Sequence, residues 1–178
     1  MSGEDSQWQR GSDLLTGRSF AGGAVVRAND ANAHRLIVAG GLDNAVLDTS
    51  ELYDAVADRW VQLEARLCEQ MSCHAAPIAD GHVLAVQSSA RRSTRCSLID
   101  IRASHSFWSR VESPPFARDY HAVVAVDEQT IAMVGGWVGS TTTSTVQLYD
   151  ARANRWTVRD EWQLPVGAAD HCAVVVGR

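Results

Sequence analysis

The 178-residue chain contains no lysine: apart from histidine, all 16 of its basic side chains are arginine, and against 21 acidic residues they leave a formal charge of −5. A surface of that sign does not suit broad contact with nucleic acid or an anionic membrane, since both depend on clustered cations. Long apolar runs are also missing. Nothing approaches the ~20 consecutive apolar residues that a membrane-spanning helix needs. Met1 to Asp13 is polar and lacks the charged-then-apolar layout of a secretory leader. The four cysteines, Cys68, Cys73, Cys96 and Cys172, fall in no C-x-x-C spacing, so neither a zinc site nor a disulfide framework is indicated. These absences lead us to expect a soluble cytoplasmic protein. The length suits one domain with a real core and is short for two.

What is present is a repeated pattern. Residues 35–41 read RLIVAGG, ELYD follows at 51–54 after a polar loop, and a turn then leads to Arg59-Trp60. The same order returns as TIAMVGG at 130–136, QLYD at 147–150 and Arg155-Trp156. A degenerate copy lies between them, with HVLAVQS at 82–88, SLID at 97–100 and Trp108. Trp60, Trp108 and Trp156 are each 48 residues apart. A period of 40–50 residues built from short alternating strands indicates a propeller or a similar array.

The diglycine, the tyrosine and the following tryptophan resemble the kelch repeat family, and the resemblance covers nearly the whole chain. It implies an all-β, kelch-type β-propeller with about three complete four-stranded blades plus flanking single strands. The expected layout is a stray strand and linker over 1–17, with Trp8 near the period, then blades over 18–64, 65–112 and 113–163. The start of a further blade is expected over 164–178, on the pattern His171 to Val176. Closed propellers need four to eight blades. The chain is therefore expected to be a segment of a longer protein, or an arc that self-associates with a second copy to close the ring.

Gly40, Gly41, Gly135 and Gly136 could be taken for a phosphate-binding turn, but such loops need further glycines and a following helix. We read them as structural, letting the chain bend and aromatic rings pack against backbone. Tyr53, Tyr149, Trp60, Trp108 and Trp156 recur with the period and are assigned to packing. In the middle copy Gln87-Ser88 replaces the diglycine and Ile99 the tyrosine, so that blade is expected to pack least regularly and to be the weakest.

In a meander, the loops joining strands two and three and those joining blades emerge on one face, and non-periodic residues there are the better binding candidates. These are Asp43 and Asn44, the Arg91, Arg92 and Arg95 cluster, Trp137, and Arg18, Phe20, Arg118 and Tyr120 where blades begin. Three arginines within five residues could clamp an acidic peptide or phosphate, and an exposed Trp137 could act as a contact hot spot. Arg18 and Arg118 occupy a position that in kelch blades is more often structural.

Cys73-His74 and His171-Cys172 invite a metal reading, yet neighbours on a strand point to opposite faces, so both members of one pair cannot easily aim at one ion. We expect no metal and no cofactor. Kelch folds include galactose oxidase-like copper enzymes, and only Tyr120-His121 is suggestive of that class. Convergence of His74, His121 and His171 in space would favour it. The function implied by the resemblance is a non-catalytic module that binds another protein or peptide, either recognising substrates for a ubiquitin ligase or acting as a scaffold. The alternatives are a portion of a propeller enzyme and the self-associating arc.

Overall fold

A computed structural model describes residues 8, 10–27, 34–68, 72–78, 81–89, 93–103 and 106–176. Alternating apolar residues in short runs produce strands throughout. The first sheet begins with β1 (Gly22–Arg27) and β2 (His34–Ala39); a small hairpin of β3 (Leu42–Asp43) and β4 (Ala45–Val46) follows, then β5 (Ser50–Asp54) and β6 (Arg59–Gln62). The second contains β7 (Ser72–Ile78), β8 (His82–Ser89), β9 (Ser93–Asp100) and β10 (Ser109–Val111). The third repeats the plan of the first, with β11 (Ala122–Ala125), β12 (Thr130–Val134), a hairpin of β13 (Trp137–Val138) and β14 (Thr141–Thr142), then β15 (Val146–Asp150) and β16 (Arg155–Arg159). Each four-stranded sheet is an antiparallel meander in which chain neighbours are sheet neighbours. We call the sheets blades 1, 2 and 3. The fold is an all-β stack of propeller blades.

A single meander leaves both faces in water, and stacking buries them. Blade 2 shows how. Along β8 the period-2 geometry of a strand sends Val83 and Ala85 into a cluster with Ala24, Val26, Ile37 and Ala39 of blade 1. Leu84 and Val86 point the other way, to Ile131, Met133, Tyr149 and Trp156 of blade 3. All four β8 residues are fully buried. At about 1.5–3 kcal/mol for each fully buried large aliphatic side chain, this strand is a principal adhesive of the molecule.

The repeated aromatics serve the same stacking. Tyr53 pairs in register with Trp60, and Tyr149 with Trp156, as tilted ring pairs with centroids 5.1 and 5.2 Å apart. Each indole N–H reaches an earlier part of the chain: Trp60 Nε1 donates to Ser12 O (3.1 Å), Trp108 Nε1 to Ser50 Oγ (3.2 Å) and Trp156 Nε1 to Glu112 O (2.9 Å). The periodic indoles thus each tie their strand to a segment 44 to 58 residues earlier. The Tyr53 and Tyr149 hydroxyls are also engaged, donating to Asp58 (2.6 Å) and Asn154 (3.0 Å).

In this chain blade 2 packs against blade 1 on one face and against blade 3 on the other. Of the diglycine residues, Gly135 lies against a ring, since a Cβ there would meet His171 Cε1 at 2.7 Å, whereas Gly41 and Gly136 meet backbone. Gly40 and Gly41 take φ of 66° and 94°, and Gly135 and Gly136 take 60° and 102°. A Cβ on Gly41 would lie 2.5 Å from Ser19 O, and one on Gly136 would lie 2.7 Å from Asp119 O. Left-handed backbone and the close approach of another backbone segment are what exclude a side chain here.

Of the flanking strands, the one placed around Ser6 to Arg10 falls largely outside the described residues; Trp8 itself is fully exposed and not in a strand. Residues 171–176 join no sheet ladder. That stretch is tied on through backbone bonds just before it, from Gly136 N to Ala168 O (2.7 Å) and from Asp170 N to Tyr120 O (3.0 Å).

Candidate functional site

Each blade is approached by a short leading segment, and these segments meet. Phe20, Tyr120 and Asp170 all have left-handed backbones, with φ of 54°, 53° and 54°. This conformation is unfavourable for bulky residues and is held by bonds to the next part of the chain: Phe20 O accepts from Cys73 N (3.0 Å), and Tyr120 O from Asp170 N (3.0 Å). Isolated bridges Ser19↔Leu42 and Asp119↔Trp137 fasten the leading segments to the β3–β4 and β13–β14 hairpins. The hairpins and the segments before β1 and β11 therefore share one face.

Two arginines lock this arrangement from beneath. Arg18 Nη1 donates to Gly40 O (2.8 Å) and Thr49 O (3.1 Å), while its Nη2 meets Glu51 Oε1 at 2.7 Å in an ion pair whose side chains are both 1% exposed. Glu51 also accepts from the backbone of Leu15 and Thr16. Arg118 repeats the scheme, with Nη1 donating to Gly135 O (2.8 Å) and Thr145 O (2.9 Å) and Nη2 to Thr145 Oγ1 (2.7 Å). Here Gln147 stands in the place of Glu51 and bonds to the backbone of Phe116. Burial without a carboxylate partner lowers the Arg118 pKa to about 10. Both arginines, taken from sequence as binding-face candidates, are struts: their donors are aimed at carbonyls inside the blade.

Between the leading segments lies a cavity of about 530 Å³. Its buried side holds Cys73, His74 and His121, and its open side Phe20 and Tyr120, which are 58% and 48% exposed. The Phe20 and Tyr120 rings meet edge-to-face with centroids 6.4 Å apart, although they belong to blades 1 and 3. His171, Asp119 and Asp170 complete the lining that matters here. The rings of His74 and His121 are 4.7 Å apart. Burial, and then the nearby His171, hold His74 below its ordinary 6.5. Burial, followed by His74 and Arg118, holds His121 well below it. The Cys73 thiol is pushed up to about 12 by burial, so it is neither a nucleophile nor a ready metal ligand.

His74, His121 and His171 do converge on one cavity. Among the described residues, however, no three His, Cys, Asp or Glu side chains are placed to hold a metal ion. The other sequence candidates divide clearly. Trp137, on β13, is exposed beside Asp119. Asp43 and Asn44 form the exposed tip of the β3–β4 hairpin, where Asn44 takes φ 52° and its Nδ2 donates to Asp43 Oδ1 (3.1 Å). Arg95 is no loop residue: without glycines, β8 runs on to Ser89, β9 starts at Ser93, and Arg95 sits half-buried in the ladder opposite Gln87. Arg91 and Arg92 lie outside the described residues.

From sequence His74, His121 and His171 are only possible metal ligands, and Asp119 and Asp170 are not singled out. Their signal is register. His74↔Val86, Gly22↔Ala39 and Ala122↔Val134 are equivalent pairs, so Cys73, Ala21 and His121 occupy one repeat position. His171 follows Asp170 as His121 follows Tyr120, and both histidines line the cavity.

Comparison with known proteins agrees with this architecture. The Kelch motif model matches residues 117–159, which is blade 3 with its leading residues. No curated protein matches the chain. Among solved structures, the one titled "Structure of YjhT" is similar with a TM-score of 0.69 at 15% identity, over 92% of this chain and 58% of that one. This chain therefore spans less than two thirds of that structure's length, and at such identity the likeness is one of fold. The molecule is a β-propeller assembly by fold. Residues 117–159 match the Kelch motif, and the likeness of the whole chain to a solved structure is one of fold.

Proposed function

We propose that the chain is a non-catalytic protein-interaction module whose binding face is the rim formed by Phe20, Tyr120, Trp137 and the Asp43-Asn44 tip. One observation carries this: exposed aromatic rings from blades 1 and 3 are brought together at the mouth of a cavity by strained backbones that interblade bonds hold in place. Such pre-organisation lowers the ordering cost of binding, and aromatics beside a pocket are the usual energetic anchors of interfaces. Kelch repeats in general serve protein–protein contact, which supports the same reading. The test is affinity selection from a random peptide library, with the dissociation constants of selected peptides measured by calorimetry. Replacing Phe20 and Tyr120 together by Ala is expected to weaken binding at least about tenfold. Peptides bound equally well by the double variant would overturn the assignment.

The convergence of His74, His121 and His171 favours a second reading, in which the cavity belongs to a metal-dependent propeller enzyme. The Tyr53 and Tyr149 hydroxyls are already committed to Asp58 and Asn154, which weighs against a tyrosine-liganded copper site. Metal analysis of the purified protein separates the readings: a stoichiometric transition metal that His121→Ala removes would favour the enzyme.

A further inference from the structure

The donors and acceptors inside the cavity specify the kind of group that fits it. His121 is fully buried, and its Nδ1 lies 3.2 Å from Arg118 O. A carbonyl oxygen can only accept, so Nδ1 carries the proton and Nε2 is left as a lone-pair acceptor. Among the described residues Nε2 has no hydrogen-bond partner, and neither ring nitrogen of His171 has one. Buried polar atoms without partners are rare and unfavourable, and they mark places where a group is recognised. The described residues lining the cavity include the carboxylate of Asp170 and no arginine. Its mouth offers the rings of Phe20 and Tyr120, and the whole chain is acidic.

We propose that this cavity receives one basic side chain of a protein partner, arginine in preference to lysine. The inference rests on the protein-binding reading above and names the chemistry of the anchor. A planar guanidinium brings several N–H donors and no acceptor, which suits imidazole lone pairs. It stacks on aromatic faces and is attracted by the exposed Asp170 carboxylate and the net charge. An acidic side chain would meet the His121 Nε2 lone pair and the Asp170 carboxylate, the wrong complement for it.

The test uses the full chain in two arms. In the first, N-acetyl-arginine methylamide is titrated in while the imidazole Cε1–H signals of His74, His121 and His171 are followed by NMR; the uncharged citrulline analogue and the glutamate analogue serve as controls. We expect saturable shifts with arginine, shifts at least about tenfold weaker in affinity with citrulline, and none with glutamate. Asp170→Asn, an exposed change that leaves the core intact, should weaken arginine binding about two- to fivefold. Equal response to citrulline, or a response to glutamate instead, overturns the proposal. The second arm examines library-selected peptides. If they require Phe20 and Tyr120 and share a basic residue whose replacement abolishes binding, the anchor stands. If they require those rings but no basic residue, the anchor is wrong and the binding face survives. Should they bind independently of the rings, both fall.

Discussion

In blade 3, β12 stops at Val134 because Gly135 and Gly136 turn into left-handed conformations, and the chain leaves the sheet to form the β13–β14 hairpin that carries Trp137. In blade 2 the equivalent positions are Gln87 and Ser88, and β8 simply continues to Ser89. There the Ser97 hydroxyl donates to Gln87 Oε1 (2.8 Å), both residues fully buried, so a polar bond fills the space that a turn occupies elsewhere. The blade that departs most from the repeat has the longest strands and the most completely buried residues. The difference teaches that the diglycine is a device for building the hairpin that follows it, whereas the core is built by alternation along the strands and by stacking on a neighbouring blade. A repeat that loses its glycines loses a hairpin at the face, with its interior intact.

The largest expected effect tests the struts that tie face to core. Glu51→Ala would strand the buried Arg18 charge and should destabilise the chain by about 3–5 kcal/mol in urea unfolding. Glu51→Gln should lose less than half as much, since blade 3 already works with Gln147 at that place. An equal loss in both variants would mean that the two struts are not equivalent. Next come the cores. Leu84→Ala should cost about 2–5 kcal/mol, and Leu52→Ala, at a half-buried position of blade 1, clearly less; the reverse order would undo the reading of blade 2 as the centre of adhesion.

Smaller effects sharpen the role of glycine. Gly136→Ala puts a Cβ against Asp119 O at φ 102° and should destabilise by about 1–3 kcal/mol, with a change in the indole NMR signal of the adjacent Trp137. Writing glycines into blade 2, as Gln87→Gly with Ser88→Gly, should cost about 1–2 kcal/mol through added chain entropy, together with the loss of the Ser97 bond. No new hairpin is expected to form. A stabilised double-glycine variant would show that blade 2 is a damaged kelch repeat after all.

Acid sensitivity should be the mildest effect. His74 and His121 have folded-state pKa values lowered beneath the ordinary 6.5, so below that pH the unfolded chain binds more protons than the folded one. Their contribution is intact above about pH 6.5 and fades as pH falls from there toward the folded values. Urea midpoints measured from pH 7.5 to 5 should decline, and His74→Gln should flatten the decline.

Much of the architecture was legible in the sequence because it is local and periodic. The indole hydrogen bonds of Trp60, Trp108 and Trp156 recur every blade, two to backbone and that of Trp108 to the Ser50 hydroxyl, and Gly-Gly followed by a polar loop marks a turn in blades 1 and 3. Arg95 was misplaced for a related reason: a strand has no positive signal for continuing, so a missing Gly-Gly was read as a worse loop instead of a longer hairpin. Arg18 and Arg118 could be seen as a pair, but not the direction of their side chains, which depends on carbonyls that only folding brings beneath them. The histidine cavity was hidden still more deeply. His74 and His121 lie 47 residues apart and occupy different repeat positions, so only the folded chain shows their rings 4.7 Å apart.

The most direct measurement is native-state hydrogen exchange, resolved by residue, on the intact chain. We expect the slowest amides in β8 and β9 of the blade without a diglycine, with β12 and β15 of blade 3 exchanging sooner and the β13–β14 hairpin sooner still. If β8 and β9 instead exchange ahead of β12 and β15, blade 2 is the weak repeat that its lost motif suggested, and the separation of a glycine-built face from an alternation-built core is contradicted.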